Sequence, residues 1–392
     1  MINISRLMTN LNRIASIGRG QEGISRTAFS PYYFQALEEL ETYAKAQGFS
    51  TKKDKVGNLF IDYNPNNRTN YILIGSHLDT VKDGGLYDGA LGIFAALEVL
   101  ESLKEENFNL AYGIKLVAFN AEEGSEMGGT FGSRTICGNN DYNEDLAEKV
   151  KNYSLSLDDL RACQIDFSKI KAFLELHIEQ GAVLENEGLD IGIVDGIVGI
   201  TRYELTIKGE ANHAGTTPMN LRNDPIKKLP AVVSKLYELA KAYDQPFVMT
   251  IGDIRVHPGM YNVIPNRATL LIETRDLKQK NIDDFFAALK NYLDQADIEY
   301  DLKKTIEKPA VLLDKDLMNA IESSAKNMNL KYKVMSSGAG HDAKELSHLV
   351  KTGMIFVPSK RGISHSIDEY TSEEDIEKGT KLLYQTIKNL RV

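Results

Sequence analysis

The chain has 392 residues and a formal net charge of −9 at pH 7. That length is too great for one ordinary hydrophobic core, so two domains are predicted, and a composition of 42% hydrophobic and 26% charged residues excludes the disordered and membrane-embedded classes. The negative charge and the lack of a lysine or arginine cluster argue against nucleic-acid binding, which needs a basic surface, and favour a small-molecule partner.

The N-terminal segment contains no continuous apolar signal core, and no segment approaches the roughly 18 consecutive apolar residues that cross a membrane. A cytoplasmic protein without a membrane partner is therefore expected. The two cysteines, Cys137 and Cys163, lack a CxxC or Cys/His neighbourhood, which favours a buried, reduced pair over a disulfide. Helical spacing near the N-terminus predicts a packed helix. Its apolar positions are Ile4, Leu7, Met8, Leu11, Ile14 and Ile17.

Helix and strand patterns then alternate along the chain. "SPYYFQALEELETYAKAQG" predicts a helix with Ser30 as N-cap, Pro31 at the first position and Gly48 at its end. "KVGNLFIDYN" and "YILIGSHLD" predict strands, "GALGIFAALEVLESLKEEN" predicts a helix, and "GIKLVAFNAEEG" and "KAFLELHIEQG" predict further strands. Continuously apolar strands that alternate with helices predict an α/β fold with a mostly parallel sheet covered on both faces.

A different order of elements occupies residues 201–312. "RYELTIKG", "FVMTIGDIRVH", "RATLLIETRD" and "IEYDLKKTI" predict strands, and "PIKKLPAVVSKLYELAKAY" and "IDDFFAALKNYLDQ" predict helices. The chain order β-α-β-β-α-β is that of ferredoxin-like domains. We therefore predict an inserted domain at 201–312 and a main domain formed by 1–200 and 313–392.

The segment "SHLDTVKDGGLYDGALG", residues 76–92, places one histidine and three aspartates in a glycine-rich loop after a strand. Open α/β sheets bind ligands at the carboxyl ends of their strands. An imidazole and a carboxylate, here His77 and Asp88, can hold a divalent cation, and Asp79 would then accept the other imidazole N–H. The alternative is an exposed acidic loop in which Asp88 caps the following helix.

Acids and histidines also follow other predicted strands. Adjacent carboxylates such as Glu122 and Glu123 repel each other unless a cation or proton lies between them, so the pair suits one ligand and one proton carrier; a solvated turn is the alternative. His177 and His365 taken singly are more often structural. Gathered at one sheet edge, three imidazoles and two carboxylates suit two cations bridged by one carboxylate. These residues are His77, Asp88, Glu123, His177 and His365.

These motifs resemble the amidase, hydantoinase and carbamoylase branch of the M20 metallopeptidase family. The resemblance spans nearly the whole chain. The "HIEQG" context of His177 is typical of the ureido-hydrolysing branch, whereas many peptidases of the wider family carry an acidic ligand at this position. The branch includes N-carbamoyl-L-amino-acid hydrolases, allantoate amidohydrolases and ureidoglycolate amidohydrolases. The matching segments are "SHLDTV", "YDGALG", "NAEEGS", "LELHIEQG", "ANHAGTTPMNLRNDP", "NVIPNRATLLIETRD", "GAGHDA" and "SHS".

The resemblance implies a metallohydrolase domain with two divalent metal ions. His77 and His177 bind one ion, Glu123 and His365 bind the other, and Asp88 bridges the two. Glu122 is implied as the general base, and we include Asp79 among the catalytic residues. Sites of imidazole and carboxylate accept Zn, Mn, Co or Ni, so the sequence leaves the metal open.

The resemblance also implies how a substrate carboxylate is bound. His213 would come from the partner subunit of a homodimer and polarise the scissile carbonyl, while Arg275, with Asn262 and Gln180, would hold the carboxylate. We give His341 a supporting polar role. The inserted domain would serve as lid and dimerisation domain. From the residues alone, an edge loop around His213 and an exposed surface pair for Arg275 remain alternatives.

The predicted reaction is hydrolysis of a linear C–N bond in an N-carbamoyl-L-amino acid or a related ureido acid such as allantoate or ureidoglycolate. An M20 dipeptidase or N-acyl-amino-acid deacylase is the alternative within the same chemistry. A metal-binding protein that retains the fold without catalysis is the alternative outside it.

Overall fold

The computed structural model describes residues 1–391, which divide into two compact units. Unit 1 comprises Met1–Asp195, Leu313–Met335 and the described chain from Ala339, and unit 2 comprises Gly196–Leu312 and Ser336–Gly338. Within residues 1–391, no helix combines the length and apolar character that a membrane crossing requires.

The strands are numbered in chain order. They are β1 (Ser50–Lys53), β2 (Leu59–Tyr63), β3 (Tyr71–His77), β4 (Gly113–Phe119), β5 (Ile170–Ile178), β6 (Ile191–Ile197), β7 (Gly199–Lys208), β8 (Val248–His257), β9 (Arg267–Asp276), β10 (Tyr300–Lys308), β11 (Val311–Leu312), β12 (Tyr332–Ser337) and β13 (Lys351–Val357).

The α-helices are numbered in the same way. They are α1 (Ile4–Ala15), α2 (Pro31–Ala46), α3 (Ala90–Glu105), α4 (Phe131–Cys137), α5 (Glu144–Lys151), α6 (Leu157–Ala162), α7 (Val183–Glu187), α8 (Pro225–Ala240), α9 (Gln279–Gln295), α10 (Lys315–Asn327), α11 (Asp342–Leu346) and α12 (Glu373–Asn389).

The sheet of unit 1 runs in the order β1-β2-β4-β3-β5-β13-β6, and β12 also pairs with β6. The four central strands β4, β3, β5 and β13 are parallel to one another, whereas β1, β2 and β6 pair in antiparallel fashion. The predicted parallel α/β sheet is therefore confirmed at the centre, with antiparallel strands at its flanks. The carboxyl ends of the central strands meet at one edge.

The central helix α3 follows the glycine-rich loop. Every residue from Ala90 to Leu103 is buried, and although most are apolar, the set includes Glu98 and Glu101, which pair with Arg6. Successive side chains of strand β5 point to opposite faces of the sheet, so its apolar and polar residues lie on different sides. Leu174 and Leu176 join the large apolar core, so Glu175 and His177 face the other side.

Helix α2 begins as the sequence predicts. The Ser30 side chain accepts a hydrogen bond from the Tyr33 N–H, and Pro31 is the first helical residue. Both cysteines are free thiols, with Cys137 half-buried and Cys163 buried.

Unit 2 has the element order β7-α8-β8-β9-α9-β10. Its strands form an antiparallel sheet in the order β10-β7-β9-β8, so β8 lies at an edge. Apolar residues of β7, β9 and the two helices make a separate core, which includes Leu205, Leu270, Leu236 and Phe285. The functions predicted for this unit, as lid and dimerisation domain, stay predictions.

A test of the packing of α3 uses Gly92. An alanine would favour the helix by about 1 kcal/mol, but its Cβ would overlap the Leu176 carbonyl oxygen of β5, and overpacking of this kind costs about 1–3 kcal/mol. We expect Gly92→Ala to lower the free energy of unfolding measured in urea. Gly20→Ala is the control, because a Cβ there meets only the Gly23 carbonyl oxygen at 3.7 Å. Equal stability of both variants would contradict the close approach.

Candidate metal centre

The predicted ligands lie around the carboxyl ends of the four central strands. His77 ends β3, His177 is the second-last residue of β5, and Asp88 lies just before α3. Glu123 follows β4, and His365 follows β13. Because these strands are adjacent and parallel, residues from four separate parts of the sequence reach the same edge.

The Asp88 carboxylate lies at the centre of this arrangement. Its Oδ1 is 3.4 Å from His77 Nε2 and 3.2 Å from His177 Nε2. Its Oδ2 is 3.2 Å from His365 Nε2, which is also 3.3 Å from Glu123 Oε2. Three groups in the described chain have metal-ligand spacing, and two of them share Asp88: His77–Asp88–His177 and Asp88–Glu123–His365, beside Glu175–His177–His341. The structure thus brings all five predicted ligands together, with one carboxylate shared.

The unpaired atoms of this cluster fit divalent cations. His177 Nε2 and Glu123 Oε1 are buried without a hydrogen-bond partner, a condition that native structures rarely tolerate. The other ring nitrogens are engaged, because His77 Nδ1 lies 3.0 Å from the Asp79 carbonyl and His177 Nδ1 lies 2.9 Å from the Ile178 carbonyl. When each Nδ1 donates to its carbonyl, each Nε2 keeps a lone pair for a metal.

The pKa values follow from the same proximity. Burial raises the pKa of Asp88, but the contacts with His177, His365 and His77 outweigh burial and hold it well below its usual value. Burial lowers the pKa of His77, but Asp88, Glu122 and Asp79 outweigh burial and raise it well above the usual value. The site therefore concentrates negative charge where a cation would sit.

Glu122 is positioned to exchange a proton beside the ligands. Its Oε2 lies 3.9 Å from His77 Nε2. Burial raises the pKa of Glu122 well above its usual value; His77 opposes this shift, whereas Asp342, Glu123 and Asp79 add to it. A buried carboxyl group with a raised pKa suits a general base that must later hold the proton.

The predicted contact between Asp79 and the His77 ring is wrong in detail. The Asp79 carboxylate is 3.8 Å from His77 Nδ1, too far for a hydrogen bond, and the backbone carbonyl of Asp79 takes that place at 3.0 Å. The carboxylate instead accepts the N–H groups of Glu122 and Glu123 at 3.1 and 3.2 Å. Because the chain turns just after β3, the Asp79 carbonyl lies next to the His77 ring, while the Asp79 side chain contacts the segment after β4.

The alternative in which Asp88 caps α3 is also wrong. Gly89 is the N-cap of that helix, without a side-chain hydrogen bond. Gly89 has a φ of 63°, and a Cβ there would overlap the His77 ring. The glycine is therefore needed both for the turn and for the approach of the backbone to the imidazole.

Around Asp88 lie one predicted residue and two that sequence reasoning missed. Gln180 Nε2 donates to Asp88 Oδ2 at 2.8 Å. Ser364 Oγ lies 2.9 Å from the same oxygen and 2.8 Å from Glu369 Oε2. The signal for the missed pair was the dense polar run "SHSIDE", in which only His365 was singled out.

Beneath the ligands lies a second buried polar group. The His341 ring is 4.5 Å from the His177 ring, centroid to centroid, and burial, with a smaller effect of His177, lowers the pKa of His341 well below its usual value. Glu175, also missed, accepts hydrogen bonds from Ser76 Oγ at 2.7 Å and from the Ala343 N–H at 3.0 Å. His341 is therefore a neutral residue that packs against a ligand.

The other predicted substrate residues belong to unit 2. His213 is exposed, and its Nδ1 accepts the N–H groups of Gly215 and Thr216 at 3.0 and 3.1 Å, which leaves the proton on Nε2. The Asn262 carbonyl accepts the Ala214 N–H at 3.1 Å.

Arg275 is held on both sides of its guanidinium group. Its Nε donates to Glu273 at 2.8 Å and its Nη1 donates to the Gly338 carbonyl at 2.6 Å. The roles of Arg275, His213 and Asn262 toward a substrate stay predictions.

Known proteins resemble this chain over most of its length. Residues 73–389 match the model of peptidase family M20/M25/M40. The chain is 36% identical over 380 residues to an allantoate amidohydrolase of Escherichia coli (strain K12), covering 92% of this chain and 91% of that protein. It is 34% identical over 406 residues to an N-carbamoyl-L-amino acid amidohydrolase of Geobacillus stearothermophilus, covering 100% and 99%.

A solved structure, an amidase of the hydantoinase/carbamoylase family from Burkholderia phymatum, aligns with a TM-score of 0.88 and 29% identity over 99% of this chain and 97% of that one. The family match covers most of the chain, including every proposed ligand. The chain therefore belongs to peptidase family M20/M25/M40.

Proposed function

We propose that this protein is a hydrolase with two metal ions that cleaves a linear C–N bond of an N-carbamoyl-L-amino acid or a related ureido acid. The observation that carries the proposal is the single Asp88 carboxylate between two groups of ligands. The names of the two curated relatives support ureido acids over peptides as substrates.

His77, His177 and Asp88 would hold one ion, and Asp88, Glu123 and His365 the other. Bound ions of this kind polarise the substrate carbonyl and make water a better nucleophile at neutral pH. Any of Zn, Mn, Co or Ni fits imidazole and carboxylate ligands.

Glu122 takes the proton of the attacking water and passes it to the leaving nitrogen. Its raised pKa lets it hold that proton between the two steps. Asp79 serves indirectly, because its carboxylate binds the backbone of Glu122 and Glu123 and so fixes both side chains.

The remaining residues bind the substrate. His213 carries its proton on Nε2 and donates to the substrate carbonyl oxygen. Arg275 offers a planar fork to the substrate carboxylate, with Asn262 and Gln180 as neutral partners. His341 packs against His177 and supports its orientation.

The substrate class can be tested with metal-loaded protein. We expect ammonia release from N-carbamoyl-L-amino acids, allantoate or ureidoglycolate, loss of activity after chelation and recovery after Mn²⁺, Zn²⁺, Co²⁺ or Ni²⁺ is restored. Dipeptides and N-acetyl amino acids, followed by release of free amine, are the matched comparison. Faster cleavage of either would favour the dipeptidase or deacylase instead.

The role of Glu122 has its own test. Glu122→Gln keeps the size of the side chain but removes the proton acceptor, so we expect kcat to fall by about 10²- to 10⁴-fold with the metal content unchanged. The control is Glu126→Gln, a nearby exposed glutamate. Unaltered turnover in Glu122→Gln would overturn its role as general base, whereas no turnover in the parent protein would favour the non-catalytic metal-binding alternative.

We also propose that the protein forms a homodimer through unit 2. Strand β8 is an edge strand, and an unpaired edge is a template for pairing with another strand. Val248, Ile254 and Val256 on this strand, and Tyr261 just beyond it, are exposed apolar or aromatic side chains. A second copy of β8 satisfies both the open hydrogen bonds and the apolar side chains.

The dimer is tested by light scattering during size-exclusion chromatography. We expect a dimer for the parent protein and a monomer for Ile254→Lys, because a lysine on an edge strand opposes pairing. Leu349→Lys, another exposed apolar position in unit 1, should remain dimeric. A monomeric parent protein would overturn the proposal.

A further inference from the structure

The turn at residues 364–369 carries one proposed ligand, and packing alone does not hold that ligand in place. The side chain of His365 is 48% exposed, and its backbone φ of 56° lies in the left-handed region, which is costly for a residue other than glycine. Something other than the apolar core must therefore fix the position of its imidazole relative to Asp88.

Glu369, at the end of this turn, binds the backbone of the loop that carries Asp88. It is 5% exposed, and its Oε1 accepts the N–H of Tyr87 at 2.7 Å and the N–H of Asp88 at 3.0 Å. Hydrogen bonds to a carboxylate are stronger than those between neutral groups. One buried carboxylate thus joins two segments that are about 280 residues apart in the sequence.

The other oxygen of Glu369 reaches the Asp88 side chain through a hydroxyl group. Ser364 Oγ lies 2.8 Å from Glu369 Oε2 and 2.9 Å from Asp88 Oδ2. That Asp88 oxygen is the one that faces His365 Nε2, at 3.2 Å. The contacts of Glu369 therefore converge on the half of the site formed by Asp88, Glu123 and His365.

We propose that Glu369 is a positioning residue that sets the spacing between Asp88 and His365. It would thereby maintain the second metal position, which is the one formed by Asp88, Glu123 and His365; the first is formed by His77, Asp88 and His177. Glu369 binds the Asp88 backbone directly, and its Oε2 shares the single hydroxyl proton of Ser364 with Asp88 Oδ2. The first metal position depends on it less, since His77 and His177 belong to strands β3 and β5 and face the other Asp88 oxygen. This inference rests on the proposed function with two metal ions.

The test is a Mn²⁺ titration of the metal-free full-length protein, followed by calorimetry, with Co²⁺ absorption spectra as a second readout. Loss of a residue that orients a metal ligand typically costs about 10- to 100-fold in metal affinity. We expect this loss at one of the two ions in Glu369→Ala, with the other ion unaffected and the Co²⁺ spectrum of one site altered. Glu369→Gln should restore part of the affinity, because its amide oxygen can still accept both N–H groups.

Two further variants keep the result interpretable. Ser364→Ala removes the hydroxyl link without disturbing the backbone hydrogen bonds, so it should fold even if Glu369→Ala does not, and it should also weaken only one ion. Asp190→Asn is the matched control. Asp190 is a carboxylate of unit 1 that accepts the Lys331 N–H at 2.7 Å and touches no proposed ligand, so both affinities should be unchanged.

The outcomes separate the two proposals. Binding of fewer than two ions by the parent protein would overturn the proposed function itself. Binding of two ions by the parent, with both affinities retained in Glu369→Ala and Ser364→Ala, would overturn only the role of Glu369. An equal loss of both affinities would also overturn it, because that result indicates general destabilisation.

Discussion

The site depends on the electrostatic free energy of the buried Asp88 carboxylate, which lies among the other proposed ligands, three histidines and Glu123. Its two oxygens each face imidazole nitrogens at 3.2–3.4 Å, and Glu123 and Glu122 lie close by. In an interior of low dielectric, converging carboxylates and nitrogen lone pairs repel one another, and the repulsion is relieved only by protons or cations. The contacts of Asp88 with the imidazoles relieve part of it, but His177 Nε2 and Glu123 Oε1 are buried without a well-aligned hydrogen bond among the described residues. A divalent cation between these side chains would relieve the rest.

The fold stabilises this polar cluster because side chains of one strand point to opposite faces of the sheet, so apolar residues pack in the core while polar residues face the site. In β5, Leu174 and Leu176 belong to the apolar core, while Glu175 and His177 face the other side. The helices and the sheet supply the stability that an uncompensated polar cluster would otherwise remove. Gly89 is also needed for the site, since a residue without a Cβ lets the backbone pass close to the His77 ring.

The polar groups behind the ligands form two separate systems. Asp79 binds the backbone of the Glu122 and Glu123 segment, and Glu369 binds the backbone of the Asp88 loop. In both cases a buried carboxylate accepts backbone N–H groups of a segment that carries a proposed ligand, so the side chain of that ligand is not used for the contact. Within unit 2, backbone N–H groups fix the tautomer of His213 and the Gly338 carbonyl holds Arg275.

Much of this protein could be predicted from its sequence. Apolar periodicity and capping residues located α2, α3 and the central strands, because those signals are local. The gathering of the five proposed ligands at one edge was predicted because residues near the carboxyl ends of adjacent parallel strands come close together, while their binding of metal stays a prediction. The strand β6 and the roles of Glu369, Ser364 and Glu175 could not be foreseen, since each depends on pairing with residues far along the chain. Likewise, His77 contacts the Asp79 carbonyl and not the Asp79 carboxylate because of the geometry of the turn after β3. Residue types alone do not determine that geometry.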